Sequence, residues 1–166
     1  MGCGKSTLGK NLATLMKCNF IDLDRAIEKE AKMTVANLFA SQGEDAFRNI
    51  EASLLRQINH DSDIVISTGG GTPCFYDNID FMNMHGLTIY IKLPIDIITN
   101  RLFYSENKRP LIKYETKEAL NLNITSLLSQ REVFYKKAKL IVEGINLSPQ
   151  DLLEFINIFN NKNKVD

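Results

Sequence analysis

The 166-residue sequence has no excess of either charge and no long apolar run, and these absences exclude several classes of protein. Lys and Arg total 20, equal to the 20 Asp and Glu, so overall charge predicts no partner among nucleic acids or anionic membranes. No apolar run approaches the roughly 20 residues that a membrane-spanning helix needs. Apolar residues make up 44% and charged residues 24%, which is typical of a soluble globular protein.

Cysteine is also scarce. Cys3, Cys18 and Cys74 form no C-x-x-C pair, and no secretory leader is recognised, so we expect reduced thiols and a cytoplasmic location. The length suits one domain over residues 1–166, and we expect a monomer.

Short apolar runs alternate with helical stretches, a pattern that predicts an α/β fold with a parallel sheet. Strands are predicted at 19–24, 64–68, 87–93 and 138–143, and helices at 6–16, 95–102, 120–135 and 151–159. Residues 25–58 are predicted to form several helices, broken near Thr34 and Gly43. The polar segment 104–114 contains Arg109-Pro110 and is predicted to be a mobile excursion.

Residues 2–7 match the second half of the phosphate-loop motif G-x-x-x-x-G-K-[ST]. Glycines allow backbone N–H groups to curl around phosphates, Lys5 would reach the β- and γ-phosphates, and the Ser6 hydroxyl would bind Mg²⁺. The alternative is a chance match before an amphipathic helix. A second motif, N-K-x-D at 163–166, is the guanine reader of GTPases, but here it ends a Lys- and Asn-rich tail. The ATP-binding candidates are Gly2, Cys3, Gly4, Lys5, Ser6 and Thr7.

Two carboxylates, Asp22 and Asp24, lie at the end of the predicted strand at 19–24. If both lie on a strand, residues i and i+2 point to the same side and face one site. One acid near Mg²⁺ and one that receives a hydroxyl proton would serve phosphoryl transfer to an alcohol. The alternative is that Asp24 only caps a helix beginning at Arg25.

Six motifs in this order resemble those of the shikimate kinase family, and the resemblance covers essentially the whole chain. They are G-x-G-K-S-T, F-I-D-L-D at 20–24, G-E-D-A-F-R-N-I-E at 43–51, S-T-G-G-G at 67–71, K-R-P-L at 108–111 and Q-R-E-V-F-Y at 130–135. The resemblance implies a three-layer α/β/α phosphate-loop kinase with a central parallel sheet, a substrate-binding region at about 25–58 and a lid at about 103–116. It also implies transfer of the γ-phosphate of ATP to the 3-hydroxyl of shikimate, with Mg²⁺ as cofactor, in aromatic amino acid biosynthesis.

The same resemblance implies a role for each matching residue. Arg48 and Arg131 would bind the shikimate carboxylate, although Arg48 could instead form an ordinary surface pair with Glu51. Asp24 would contact the reacting hydroxyl, and Asp22 would hold the Mg²⁺ shell. The remaining roles are substrate contacts by Gly70 and Gly71, catalysis by Lys5 and the lid residue Arg109, and a nucleotide contact by Arg101.

Two other functions compete with this interpretation. Another small-molecule or nucleoside monophosphate kinase would share the phosphate loop and the lid arginine. An inactive nucleotide-binding domain is the alternative from a different class. The sequence also offers no arginine at 145–147, where family members often have one, which leaves the adenine-side contact without a candidate.

The first glycine of the phosphate-loop motif would lie two residues before Met1, and the strand that feeds the loop is not in the sequence. We therefore expect an in-frame upstream extension of roughly ten residues, enough for one typical strand. It should be rich in Ile, Val, Leu or Phe. The genomic sequence upstream, or an intact mass of the native protein above 18.8 kDa, would confirm this expectation.

Overall fold

A computed structural model of the protein describes residues 2–59, 63–105 and 115–163. Helices and parallel strands alternate along the chain, as the sequence pattern predicts. In chain order the elements are α1 (Lys5–Met16), β1 (Asn19–Asp22), α2 (Leu23–Ala31), α3 (Val35–Gln57), β2 (Ile64–Ser67), a 3₁₀ turn (Thr72–Cys74), α4 (Asn78–His85), β3 (Ile89–Lys92), α5 (Ile95–Phe103), α6 (Lys117–Tyr135), β4 (Leu140–Glu143) and α7 (Pro149–Lys162).

The helix boundaries follow capping side chains. The Thr34 hydroxyl accepts from the backbone N–H of Asn37 and begins α3. Ser148 and Asp151 form a reciprocal capping box that begins α7. These side chains satisfy N–H groups that have no partner within the helix, so they define where each helix starts.

The strands pair in two separate two-stranded sheets. Strand β1 is parallel to β2, with Asn19 opposite Ile64, and β3 is parallel to β4, with Ile89 opposite Leu140. The α/β class with parallel strands is therefore confirmed, but the described strands do not form one continuous sheet.

Three apolar clusters hold the elements together. One joins α2 to α3 through Leu23, Ile27, Leu38, Phe47 and Leu55. A second lies between the strands and helices α1 and α7, and a third joins α5 to α6. None of the helices in the described part of the chain is long and apolar enough to span a bilayer.

One predicted boundary is wrong, and it affects a candidate residue. Strand β1 ends at Asp22, because the Asp22 carboxylate accepts from the backbone N–H of Arg25 and caps α2. Asp24 therefore lies in the first turn of α2 and not on the strand, so the argument from strand alternation does not apply to it. The capping residue is Asp22, not Asp24. The 3₁₀ turn and the short helix α4 were not predicted.

Gly43 produces the predicted break within α3. Its φ of 81° and ψ of 177° belong to a region that only glycine adopts readily, and no atom lies within 4 Å of a Cβ built there. The constraint at Gly43 is therefore conformational, not steric.

We predict that Gly43→Ala lowers the free energy of unfolding by about 1–3 kcal/mol, because alanine strains this backbone. Urea denaturation measures the change. Gly86→Ala is the matched control, since Gly86 is extended (φ −170°) and its Cβ would meet only one atom, 3.9 Å away. Equal losses for the two variants would contradict the assignment.

Candidate active site

The loop before α1 has the backbone shape of an anion-binding site. Gly2 and Gly4 adopt left-handed conformations, with φ of 64° and 79°, and α1 begins directly afterwards at Lys5. No side chain caps this helix end. The first backbone N–H groups of α1 and the positive end of its dipole can therefore bind phosphate oxygens. Lys5 stays beside the loop, with its Nζ 3.9 Å from the Cys3 sulfur.

Two hydroxyl oxygens meet next to this loop, and a carboxylate residue lies on the adjacent strand. The Ser6 and Ser67 hydroxyl oxygens lie 3.4 Å apart, and Ser67 is the register partner of Asp22 on the neighbouring strand. Magnesium binds through one or two such hard oxygens together with phosphate oxygens and water, so this donor set fits Mg²⁺. Ser67 was missed from the sequence, although it is the first residue of the S-T-G-G-G motif.

Arg48 is buried, with 5% of its surface exposed, and it faces two carboxylates and two aromatic rings. Its Nη1 donates to Glu51 at 2.8 Å, while Nε and Nη2 both donate to Glu44 at 3.1 and 2.9 Å. The guanidinium carbon lies 4.0 Å from the ring centre of Phe75 and 4.9 Å from that of Phe47. The pair with Glu51 therefore exists, but it is a buried pair and not the surface pair that the alternative interpretation required.

Glu51 is fully buried and connects Arg48 to the segment after β2. Its second carboxylate oxygen accepts from the Thr72 hydroxyl at 2.5 Å. The Thr72 carbonyl in turn accepts from the side-chain amide of Asn78, which itself accepts from Arg56 at 2.9 Å. A buried carboxylate needs such partners, so these contacts hold Arg48 in one orientation. Thr72 and Asn78 carry no motif that sequence reasoning could have used.

The glycine turn, residues 69–71, passes close to these charged groups. A Cβ on Gly71 would lie 2.5 Å from Nη2 of Arg48, and a Cβ on Gly69 would lie 3.0 Å from the Asp24 carboxylate and 3.1 Å from that of Glu51. A side chain at position 71 would therefore displace the Arg48 guanidinium, and one at position 69 would force the neighbouring side chains to shift by a few tenths of an ångström. The structure thus brings Asp24, Arg48 and the glycine turn together, as the motif order implied.

The carboxyl end of α6 reaches the same turn. The Tyr135 hydroxyl donates to the Gly70 carbonyl at 2.6 Å, so Gly70 contributes its carbonyl to a structural contact. Burial raises the pKa of Tyr135, and the adjacent Arg131 guanidinium, which interacts with its hydroxyl, opposes part of that shift. Arg131 is half-buried one helical turn before Tyr135, on the site's side of α6.

Fewer contacts are described for the other predicted residues. Thr7 and Arg101 are exposed, and no described contact brings Arg101 to the phosphate loop, although its neighbour Leu102 packs against Gly2. Arg109 and most of the predicted lid lie outside the described residues. Residues 164–166 of the N-K-x-D motif also lie outside them, and Asn163 closes α7.

Comparisons with known proteins identify the family of the chain. The family model described as Shikimate kinase matches residues 1–159. The chain belongs to the shikimate kinase family. It is 44% identical over 144 residues to a shikimate kinase of Parabacteroides distasonis, covering 87% of this chain and 83% of that protein. It is 40% identical over 155 residues to one of Azobacteroides pseudotrichonymphae, covering 93% and 91%.

Solved structures of shikimate kinases share the fold. The crystal structure of the Bacteroides thetaiotaomicron enzyme superposes with a TM-score of 0.89 at 38% identity, covering 95% of this chain and 94% of that one. The Acinetobacter baumannii enzyme in complex with shikimate has a TM-score of 0.86 at 29% identity, covering 100% and 91%. The predicted fold class, enzyme class and shikimate kinase function are therefore confirmed at the level of the family.

The pKa values of Cys3 and Cys74, the two cysteines at the site, shift in opposite directions. Burial acts to raise the pKa of Cys3, but the Lys5 charge and backbone N–H groups outweigh it, so the pKa lies below its ordinary 9.0. Burial raises the pKa of Cys74 above 9.0, only partly opposed by Arg131 and Arg48. The thiolate of Cys3 therefore forms at lower pH than that of Cys74.

We predict that the pH midpoint of alkylation by iodoacetamide is below 9.0 for Cys3 and above 9.0 for Cys74. Peptide mass spectrometry across a pH series measures both midpoints in one sample, so Cys74 serves as the internal control. Midpoints in the reverse order would show that Lys5 does not act on Cys3 as described.

Proposed function

We propose that the site transfers the γ-phosphate of ATP to the 3-hydroxyl of shikimate through the residues described above. The observation that carries the proposal is the buried guanidinium of Arg48, held beside a glycine turn and the Asp24 carboxylate, with the phosphate loop close by. A buried cation next to a small open turn suits a compact anionic substrate that carries hydroxyl groups.

The substrate carboxylate binds the Nε–Nη2 edge of Arg48 in this proposal. The Nε and Nη2 groups of that edge already donate together to one oxygen, Oε1, of Glu44, so both are directed at a single anionic group, and a ligand carboxylate could take one of them on each of its oxygens. The Glu44 side chain is 51% exposed, so it can leave this edge without the cost of desolvation. Arg131, which interacts with Tyr135, the residue that donates to the Gly70 carbonyl, provides the second cation in this proposal.

The Asp24 carboxylate accepts the proton of the 3-hydroxyl as the oxygen attacks the γ-phosphorus. The bond from that phosphorus to the bridging oxygen of ADP breaks, and ADP leaves. Lys5, the α1 amides and the sequence-predicted lid residue Arg109 stabilise the negative charge on the transferred group.

Ser6 and Asp22 would hold Mg²⁺ in this proposal. The ion supplies charge neutralisation at the phosphates when bound. Asp22 already caps α2, so its carboxylate is oriented before any ligand arrives.

We also propose the remaining expectations for the chain as a whole. These are one kinase domain over 1–166, with residues 25–58 binding substrate and 103–116 forming the lid, and a cytoplasmic monomer. They rest on the sequence pattern and on the charge balance.

Phosphate transfer from ATP, assayed in parallel with shikimate, gluconate and nucleoside monophosphates, tests the function. Of these acceptors, we expect only shikimate to be phosphorylated, and we expect the rate of transfer to depend on Mg²⁺. Turnover with gluconate or a nucleoside monophosphate, and none with shikimate, would refute the proposal.

For the carboxylate clamp, we predict that only one of two neighbouring substitutions weakens shikimate binding. Arg48→Lys should weaken shikimate binding by roughly 2–5 kcal/mol, because the bidentate charged pair is lost. Glu44→Gln should leave binding unchanged or strengthen it, because it removes a competing carboxylate. Calorimetric titrations with shikimate and with ATP measure both variants. An equal loss of ATP affinity in Arg48→Lys, or weaker shikimate binding in Glu44→Gln, would count against the clamp.

For the proton acceptor, we predict that Asp24→Asn lowers kcat by about 10²- to 10⁴-fold while ATP affinity changes little. Asp80→Asn is the matched control, because Asp80 also lies in the first turn of a helix but is exposed on α4. Steady-state kinetics and nucleotide titration separate the two effects. Near-normal kcat in Asp24→Asn would remove this residue from the mechanism.

A further inference from the structure

The segment between the 3₁₀ turn and α4 contacts the helix that carries Arg48. Its three residues, Phe75, Tyr76 and Asp77, each reach a different residue of α3 (Val35–Gln57). We call these three residues the clasp. None of the six motifs in the sequence includes them, and the transfer steps proposed above do not use them.

Phe75 places its ring against the Arg48 guanidinium. The guanidinium carbon lies over the ring, 4.0 Å from the ring centre, and this ring is closer than that of Phe47. A guanidinium nitrogen lies about 1.3 Å from that carbon, so turning one towards the ring would bring it to roughly 2.7 Å, inside the about 3.5 Å of an ordinary contact. The ring therefore limits how far the guanidinium plane can tilt.

The hydrogen bonds of Arg48 leave this tilt open once a ligand arrives. Glu51 is buried and holds Nη1, whereas Glu44 is exposed and is the partner that a ligand carboxylate would replace. A single hydrogen bond at Nη1 allows the guanidinium to turn about the direction of that bond. A bidentate pair, however, requires Nε and Nη2 to lie in the plane of the ligand carboxylate. The guanidinium plane therefore needs a second support.

Two anchors hold the Phe75 ring in place, and both are on α3. The Tyr76 hydroxyl donates to the side-chain oxygen of Asn49 at 2.6 Å, and Asp77 forms an ion pair with Arg56. Asn49 directly follows the clamp arginine in the helix. Because the anchors lie on the helix that carries the guanidinium, the position of the ring is set relative to that guanidinium.

The backbone of Tyr76 shows that this arrangement has an energetic cost. Its φ of 51° lies in the left-handed region, which an aromatic residue rarely adopts. The Tyr76 side chain is exposed, so its burial offsets little of the strain, and the hydrogen bond to Asn49 is the described contact that opposes it. The turn at Tyr76 allows the chain to place Phe75 before it and Asp77 after it on the same helix.

We propose that Phe75 is a positioning residue, whose ring holds the guanidinium plane of Arg48 so that the Nε–Nη2 edge is ready for a planar carboxylate. Tyr76 and Asp77 act through Phe75, because they fix its ring on α3. The proposal rests on the proposed role of Arg48 in binding the substrate carboxylate. It concerns the affinity for that group and not the transfer of phosphate.

Steady-state kinetics of Phe75→Leu test the effect on affinity. Leucine keeps an apolar side chain but no ring, so the KM for shikimate should rise about five- to thirtyfold, while kcat and the KM for ATP change by less than about twofold. Phe75→Tyr keeps the ring and should have a KM within about twofold of the unmodified protein. An unchanged KM for shikimate in Phe75→Leu, or an equal rise in the KM for ATP, would overturn the proposal.

Phe134→Leu is the matched control. Phe134 is half-buried like Phe75, and its ring also lies near a cation, with Lys137 Nζ 6.0 Å from the ring centre, but it lies on α6 and contacts no clamp residue among the described cation–ring pairs. We expect an unchanged KM for shikimate in this variant. A rise as large as that of Phe75→Leu would mean that any lost ring loosens the site, and the specific role of Phe75 would be refuted.

The anchors provide a variant that leaves Phe75 in place. Tyr76→Phe combined with Asp77→Asn removes the hydroxyl and the negative charge at nearly constant shape. The KM for shikimate should rise about three- to tenfold at unchanged kcat, because two polar contacts of the clasp are lost. This double variant decides the question if Phe75→Leu does not fold, and an unchanged KM in it would contradict the clasp.

The orientation of Arg48 is measured without substrate by NMR relaxation of its Nε–Hε group, whose signal is identified by its loss in Arg48→Lys. In a Glu44→Ala background, which lacks the exposed acceptor, the order parameter should stay near about 0.85 with phenylalanine at position 75 and fall below about 0.6 with leucine. Equal order parameters would refute the proposal. Failure of the proposed function is recognised separately, by the absence of shikimate phosphorylation in the unmodified protein.

Discussion

The buried charge of Arg48 is the constraint on which the arrangement of the site depends. A guanidinium with so little exposed surface is stable only when carboxylates and donors surround it, and removal of one partner would leave an uncompensated charge. Glu51 supplies that compensation from one helical turn away, and Thr72 completes the carboxylate's hydrogen bonds. Helix α3 and the turn after β2 therefore cannot move independently. The position of the glycine turn therefore depends on the charge of Arg48, which lies on α3.

The phosphate loop depends on a different kind of support. Gly2 packs against Ile98 and Leu102 of α5, while α1 packs against β1, β2 and α7. The loop is thus held by elements from both strand pairs. The geometry of the loop therefore depends on the relative position of the two strand pairs. Among the described residues, apolar contacts of α1 and α7 with both pairs fix that position.

The elements that could be predicted from the sequence are those with a local cause. Thr34, Gly43 and Ser148 each act on the backbone within a few residues, so the breaks in 25–58 and the start of α7 were predictable. Asp22 shows the limit, because a D-x-D pattern does not say whether a carboxylate ends a strand or caps a helix. The pair of Arg48 with Glu51 had a local signal in its i,i+3 spacing, but its burial and the hydrogen bond from Thr72 to Glu51 did not. Thr72 lies 21 residues from Glu51, and only the fold brings them together. Helix α4 is too short and too weakly patterned to stand out.

Gly69 and Gly71 have a consequence for the way this protein can change by mutation. A side chain at position 71 would collide with Arg48, and one at position 69 would press on Asp24 and Glu51. Substitution at either position thus displaces a charged group whose own replacement is costly. An inhibitor that makes its main contacts with the backbone of residues 69–71 would meet a surface with few routes to resistance, because each change that blocks the compound also disturbs the groups that the enzyme uses.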